Sequence, residues 1–374
     1  MVTRTLATAL RSRFFKRKVL LVLGARQVGK TTLIKNLADA SNRKTLFLNC
    51  DEPEILERLQ HANSARLQAL VGDAEFVVID EAQRVRDIGL TVKRLVDNMP
   101  RRQFVVSGSS ALELSNSVNE PLTGRKYEFR LFPFSTAELA SHTTPLAESL
   151  LLHHRLVHGF YPDVVNNPGE EREILTNLTT SYLYKDIFAF QDMRKPELLR
   201  RLLVALAAQI GQQVSFDELS RLLGVNSMTI RRYVDLLEKA FVIFHLPSFS
   251  RNVRNELKKS IKIYFYDNGI RNALLSNFNP PELRGDIGAL WENFLVSERL
   301  KRNNNLLIPA SSYFWRTTQQ QEVDYIEESD GRLAAFEFKW NPVRKARFPV
   351  TFSAAYPDAS RLVVTPDNFP DFVC

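Results

Sequence analysis

Short apolar runs at Val19–Leu23, Thr45–Asn49, 76–79 and 104–107 punctuate the first 131 residues, with helical patterns between them. Runs without polar alternation suit strands covered on both faces, so the pattern predicts βαβ units around a parallel sheet. From Ser135 to about Lys195 the pattern turns helical. From about Pro196 to Tyr266, three helical segments precede two short strands at 241–246 and 261–266. After Asp267 come a helix, a second strand series and a proline-punctuated tail. The chain of 374 residues therefore divides into 1–195, whose last part (about 135–195) is helical, 196–266 and 267–374. It contains no internal repeat and no low-complexity tract.

Composition narrows the class. The chain is 44% hydrophobic, yet no stretch approaches the roughly 18–20 uninterrupted apolar residues of a membrane span. The basic N-terminus followed by Val19–Leu23 imitates a secretory signal. The run is short, however, and leads straight into a glycine-rich loop, so a buried strand is expected. Cys50 and Cys374 are the only cysteines, which supports no disulfide framework and fits a reducing, cytoplasmic setting. The net charge of +8 is unevenly spread: between Arg200 and Lys262, eleven Lys or Arg stand against five Asp or Glu. A basic surface concentrated in one unit is the footprint of a nucleic-acid partner.

The glycine-rich loop, Gly24-Ala25-Arg26-Gln27-Val28-Gly29-Lys30-Thr31, matches GxxxxGK[ST] between a strand and a helical pattern. Its glycines let backbone N–H groups wrap phosphates, and the helix N-terminus adds positive potential. Gly24, Ala25, Gln27, Val28, Gly29, Lys30, Thr31 and Thr32 are thus candidates to bind ATP. Lys30 would reach the β- and γ-phosphates and Thr31 would ligate Mg²⁺. Asp80 and Glu81 end the run at 76–79, where ligands of open α/β sheets bind. Asp80 is expected to hold Mg²⁺ through water and Glu81 to act as general base. The run at 104–107 leads into Ser107-Gly108-Ser109-Ser110, where Ser109 is a candidate to sense the γ-phosphate or position the attacking water. Leu122-Thr123-Gly124-Arg125 offers Arg125 as an arginine finger in cis or in trans, with Arg130 as the alternative.

Together these motifs resemble the prokaryotic AAA-type ATPases. The match comprises GxRQVGKTT at 24–32, IDEAQ at 79–83, Gly-Ser-Ser at 108–110, L-x-GR at 122–125 and Phe-Pro-Phe-Ser-x-x-Glu-Leu at 132–139. Gly159-Phe160-Tyr161-Pro162 and Tyr184-Lys185-Asp186 fit the same family. The resemblance implies ATP hydrolysis, a helical lid over about 135–195, a ring-like homo-oligomer, and a C-terminal domain whose function has long been unknown.

In the middle unit, Ser215 reads as the N-cap of a short helix, with Glu218 completing a capping box. Gly224-Val225-Asn226 is a turn, and a second helix capped by Asn226 carries Ile230, Val234, Leu237 and Phe241 at helical spacing. With the two strands that follow, this is the grammar of a winged helix. Arg231 and Arg232 lie on the exposed side of the second helix, and Arg251, Arg254, Lys258, Lys259 and Lys262 on or near a basic wing. Arg231, Arg232, Arg254, Lys258 and Lys259 are the candidate DNA contacts.

Late in the chain, Glu322-Val323-Asp324-Tyr325-Ile326, a turn at Asp330-Gly331 and Phe336-Glu337-Phe338-Lys339 read as a hairpin. It would bring Asp324 near Glu337, put Glu337 and Lys339 on one face and turn Phe336 and Phe338 into a core. Two carboxylates and a lysine can bind Mg²⁺ and orient water on a phosphodiester. Glu292 is a further candidate acid, with Glu298 as its alternative, and Trp291, Trp315 and Trp340 are expected in packing roles. The arrangement resembles the restriction-endonuclease-like D…(D/E)-x-K superfamily. The expectation is an α/β chain with a P-loop AAA-type ATPase domain, a winged-helix domain and a restriction-endonuclease-like domain, acting on duplex or branched DNA. The alternative is an ATP-switched oligomeric regulator that binds DNA or protein through an inactive nuclease-like domain.

Overall fold

The four apolar runs become strands of one parallel sheet, ordered β2-β3-β4-β1-β5. In this computed structural model, which describes residues 1–60, 62–109, 122–182, 196–250, 260–343 and 347–374, β1 is Val19–Leu23, β2 Thr45–Asn49, β3 Phe76–Asp80, β4 Gln103–Gly108 and β5 Lys126–Arg130. β1, β3 and β4 are buried at every position, as central parallel strands between helices should be. The two edges of the sheet are β2, where only Leu48 is buried, and β5, where only Phe129 is; β5 left no apolar run in the sequence because it alternates charged residues with Tyr127 and Phe129. Residues beyond the sheet form a string of short helices from Thr136–His142 to Glu171–Asn177. The Tyr184-Lys185-Asp186 motif lies outside the described residues.

The middle unit has helices Pro196–Ala208, Phe216–Leu223 and Ser227–Lys239, then an antiparallel sheet ordered β6-β8-β7. β6 is Gln213–Val214, β7 Ile243–Pro247 and β8 Ile261–Phe265. Ser215 and Asn226 cap as expected, but only Ser215 accepts from the Glu218 amide, so half of the predicted capping box forms. Phe241 adopts φ of 54° and belongs to the turn after the helix, so neither helix nor strand reaches it. Arg251, Arg254, Lys258 and Lys259 lie outside the described residues.

The last unit contains helix Asn268–Leu274, the 19-residue helix Ile287–Asn305 and a sheet ordered β12-β11-β10-β9. β9 is Ser311–Arg316, β10 Glu322–Ser329, β11 Arg332–Phe338 and β12 Ser360–Val364. The β10–β11 hairpin turns at Asp330 and Gly331, with φ of 51° and 75°, the doubly left-handed geometry that Asp-Gly favours. Phe336 and Phe338 pack on Phe372 at ring-centroid distances of 4.7 and 5.5 Å, and Trp291 stacks on Phe294.

The units are not beads on a string. Phe160 stacks on Phe294 at 5.9 Å and Phe132 on Tyr266 at 4.8 Å, so one apolar cluster crosses all three. The Phe249 amide donates to the Phe314 carbonyl at 2.6 Å, which ties the chain after β7 to β9. Among the described residues, no helix is long and apolar enough to cross a membrane.

Candidate functional site

The phosphate loop sits where β1 ends and helix Lys30–Asp39 begins. A Cβ at Gly24 would collide with the Leu131 carbonyl at the end of β5, so only glycine lets the loop leave the sheet here. Gly29 caps the helix with φ of 92°. Lys30 is buried, and its Nζ donates to the carbonyls of Gly24 and Ala25 at 3.1 and 2.9 Å, which draws the ammonium across the mouth of the loop. Thr31 Oγ1 donates to Asp80 Oδ2 at 2.7 Å, and Ser107 Oγ donates to Asp80 Oδ1. Thr31 and Asp80 therefore juxtapose hard oxygen donors, the chemistry Mg²⁺ requires.

Glu81 follows at φ of 51°, a left-handed conformation that is strained for a side-chain-bearing residue. Gln83 Nε2 donates to its Oε2 at 2.5 Å. Ser109 is buried, one residue beyond the Leu23–Gly108 register pair, and its Oγ has no hydrogen-bond partner. A buried orphan hydroxyl level with Gly24 is a group with a use for a ligand. Cys50, whose amide donates to the Asp80 carbonyl, has its thiol pushed up to about 12 by burial and by Asp80, Asp51 and Glu81, so it stays protonated.

Arg4 supports the loop from behind. Its guanidinium pairs with Glu138 at 2.8 Å, lies over the Phe134 ring and donates to the carbonyls of Val28 and Phe132. Glu138 also closes a capping box with Ser135, which gives the Phe-Pro-Phe-Ser-x-x-Glu-Leu motif its physical reason. A cavity of about 520 Å³ opens beside the loop between Thr3, Arg4, Val28, Thr32, Pro162 and Asn166.

A second polar centre lies about the β10–β11 hairpin. The Tyr325–Phe336 register leaves Asp324 facing Glu337, and Asp324 Oδ2 accepts from the Phe338 amide at 2.8 Å. Lys339 Nζ is 2.9 Å from Glu337 Oε2 and 3.8 Å from Asp324 Oδ2. Burial, together with Glu292 and Glu337, pushes Asp324 up to about 8. Burial also raises Glu337, against the pull of Lys339. Burial works against the Lys339 charge, but Asp324 and Glu337 outweigh it and the ammonium is held charged. Glu292 Oε1 accepts from Tyr264 at 2.6 Å and from Lys262 at 2.9 Å. Among the described residues, no three His, Cys, Asp or Glu side chains stand together as a ready-made metal cage.

Residues 16–140 match the family described as AAA domain. Over 340 residues, 90% of this chain and 73% of the relative, the chain is 31% identical to the uncharacterized protein Rv2008c of Mycobacterium tuberculosis. The chain belongs to this AAA-type ATPase family. A second uncharacterized relative, from Haemophilus influenzae, is 24% identical over 348 residues, covering 86% of this chain and 83% of that one. The fold is shared with the Walker-type ATPase PABY2304 of Pyrococcus abyssi, at a TM-score of 0.50 and 16% identity, over 74% of this chain and 96% of that one. Residues 149–281 and 287–371 match two domains of unknown function (DUF8612 and DUF4143).

Of the two candidate arginine fingers, Arg125 falls away from the phosphate loop. The Arg125 carbonyl accepts from the Val19 amide, at the opposite end of β1 from Gly24. Five strand residues separate them by roughly 16 Å, and Arg125 pairs instead with Asp97 at 2.7 Å. It does not reach the loop of its own chain. Arg130 stands in register with Leu23, at the loop's end of the sheet. Arg231 and Arg232 are exposed as expected, Arg231 lying over the Phe216 ring. Lys262 corrects the reading of a uniformly basic wing: it is 1% exposed and neutralised by Glu292 and Glu322, so it adds no surface charge. Glu298 is excluded from the hairpin centre, because it is buried against Lys301 and the Thr136 amide. Arg4, Ser107 and Gln83 were not singled out from the sequence. No spacing signals Arg4, whose partner is 134 residues away.

Proposed function

We propose that the protein binds and hydrolyses Mg·ATP and couples that cycle to work on DNA. The reading of ATP hydrolysis rests on one observation above all: Thr31, Asp80 and Ser107 form a continuous hydrogen-bonded set beneath the phosphate loop, with Glu81 next along the chain. Lys30 would hold the β- and γ-phosphates, and Thr31 and Asp80 would hold the metal ion. Mg²⁺, when bound, neutralises phosphate charge. Glu81, oriented by Gln83, accepts the proton of the attacking water, and the Ser109 hydroxyl helps hold that water or the γ-phosphate. The cavity behind Arg4 receives the nucleoside. Arg125 serves a neighbouring copy in a ring-like homo-oligomer, since its own phosphate loop lies at the other end of β1.

The middle unit is read as a winged helix that contacts DNA through Arg231 and Arg232; the further candidate contacts Arg254, Lys258 and Lys259 lie outside the described residues. The last unit is read as restriction-endonuclease-like, with Asp324 and Glu337 to hold a divalent ion and Lys339 to position water. A second reading, an ATP-switched regulator with an inactive last domain, is favoured by the cations already seated here, Lys339 on Glu337 and Lys262 on the neighbouring Glu292.

ATP turnover and DNA nicking, measured together on linear, forked and four-way DNA with Mg²⁺ or Mn²⁺, decide between them. Turnover should vanish in Lys30→Ala, and nicking in Asp324→Ala. Intact DNA under every condition selects the second reading, and turnover that survives Lys30→Ala removes both.

A further inference from the structure

Lys262 is the least expected member of the hairpin centre. It comes from β8 of the middle unit, between the apolar Ile261 and Ile263, and yet its side chain reaches into the last unit. Its Nζ lies 2.9 Å from Glu292 Oε1 and 2.5 Å from Glu322 Oε1, with the Phe314 ring 5.4 Å away. Tyr264 from the same strand donates to the same Glu292 oxygen. The second oxygen of Glu322 takes Arg316 at 3.3 Å. An ammonium so buried is tolerated only because carboxylates surround it. Conversely, Glu292 and Glu322 tolerate each other because it lies between them.

We propose that Lys262 is a built-in counter-ion of this centre, seated against the carboxylate that a divalent cation must recruit, so that the cation binds only by displacing it. Glu292 is that carboxylate; Asp324 and Glu337 are the others. The inference rests on reading the hairpin centre as a divalent-cation site, and it adds how that site is kept closed. A single ammonium between two carboxylates imitates half the charge of the ion it excludes. It also explains why four acids and two lysines converge here without forming an open cage.

The test is Mn²⁺ binding by the full chain, followed by electron paramagnetic resonance of the free ion. Lys262→Gln keeps hydrogen-bonding capacity while removing the charge, and should bind Mn²⁺ roughly tenfold more tightly or better. Lys262→Arg should bind like the wild type. Equal affinity in Lys262→Gln and wild type overturns the proposal. Should Lys262→Gln be unfolded by circular dichroism, the wild type carries the test by lysine acetylation and peptide mass spectrometry. Saturating Mn²⁺ should then expose Lys262 to acetylation several-fold, and unchanged protection overturns the proposal. DNA nicking is scored in parallel. Tighter Mn²⁺ binding without nicking by any variant upholds the counter-ion and rejects the nuclease, whereas nicking with unchanged affinity does the reverse.

Discussion

Gly159 occupies φ of 74°, and a Cβ there would run into the Asp267 carboxylate. That carboxylate is fully occupied: it accepts from the amides of Phe160 at 2.7 Å, Gly269 at 2.8 Å and Ile270 at 3.3 Å. Gly159→Ala therefore meets both a left-handed backbone and a group that cannot retreat. It should cost about 2–4 kcal/mol in urea unfolding, with an unchanged denaturant slope. The neighbouring His158 makes a prediction in pH. Burial and His154 push it down from 6.5 to about 4, so the folded chain keeps the ring neutral where the unfolded chain takes up a proton. The unfolded state then binds more protons between those two values, and stability falls as pH falls through that window. His158→Phe retains the stack on Phe278 and removes the titration. Its melting temperature should drop less than that of the wild type between about pH 7 and about pH 5, and an equal drop would place the acid sensitivity elsewhere.

At the scale of elements, legibility followed burial symmetry and sequence distance. β1, β3 and β4 were readable because strands covered on both faces spell apolar runs, and the edge strand β2 because it keeps Leu46-Phe47-Leu48 in sequence, whereas β5, the opposite edge, alternates charges with Tyr127 and Phe129. The β10–β11 hairpin was readable because Asp-Gly fixes the turn and the pleat then fixes which side chains share a face. Lys262 was misassigned because a lysine beside a basic stretch looks solvated, and its acidic partners lie 30 and 60 residues on. Arg4 carried no sequence signal at all, yet it joins the phosphate loop to the capped helix Thr136–His142. Arg4→Met would leave Glu138, 2% exposed, as a buried charge without its cation, held only by the Thr5 and Ser135 amides. A cost of about 3–5 kcal/mol is expected. Because the Val28 carbonyl also loses its donor, a fluorescent ATP analogue should bind more weakly even at temperatures where the variant is fully folded. Unchanged nucleotide affinity would reduce Arg4 to a purely structural clamp.

Across the whole molecule, helix Ile287–Asn305 is the strut. Asn293 bonds both backbone groups of Phe265 in β8, at 2.7 and 3.0 Å. Arg299 pairs with Glu327 of β10 at 2.6 Å. Toward the parallel sheet, Glu298 accepts from the Thr136 amide at 2.6 Å, Lys301 donates to the Phe134 carbonyl at 3.1 Å, and Asn304 donates to the Arg130 carbonyl at 2.8 Å. Glu298 and Lys301 also pair with each other at 2.7 Å, both almost wholly buried. One helix thus touches the end of the nucleotide-site sheet and carries Glu292 into the hairpin centre. Calorimetry of the wild type should show one cooperative transition. Glu298→Leu strands the Lys301 ammonium in the interior and should cost about 3–5 kcal/mol. Glu298→Leu with Lys301→Met removes the stranded charge and should recover much of that loss, giving a coupling energy of about 1–3 kcal/mol in a double-mutant cycle. Unlike the wild type, the recovered chain should melt in two steps, because the Thr136 amide and the Phe134 carbonyl have lost the partners that bound the last unit to the first. A single transition in the double variant would mean that apolar packing through Phe160 and Phe294 couples the units without the polar latch.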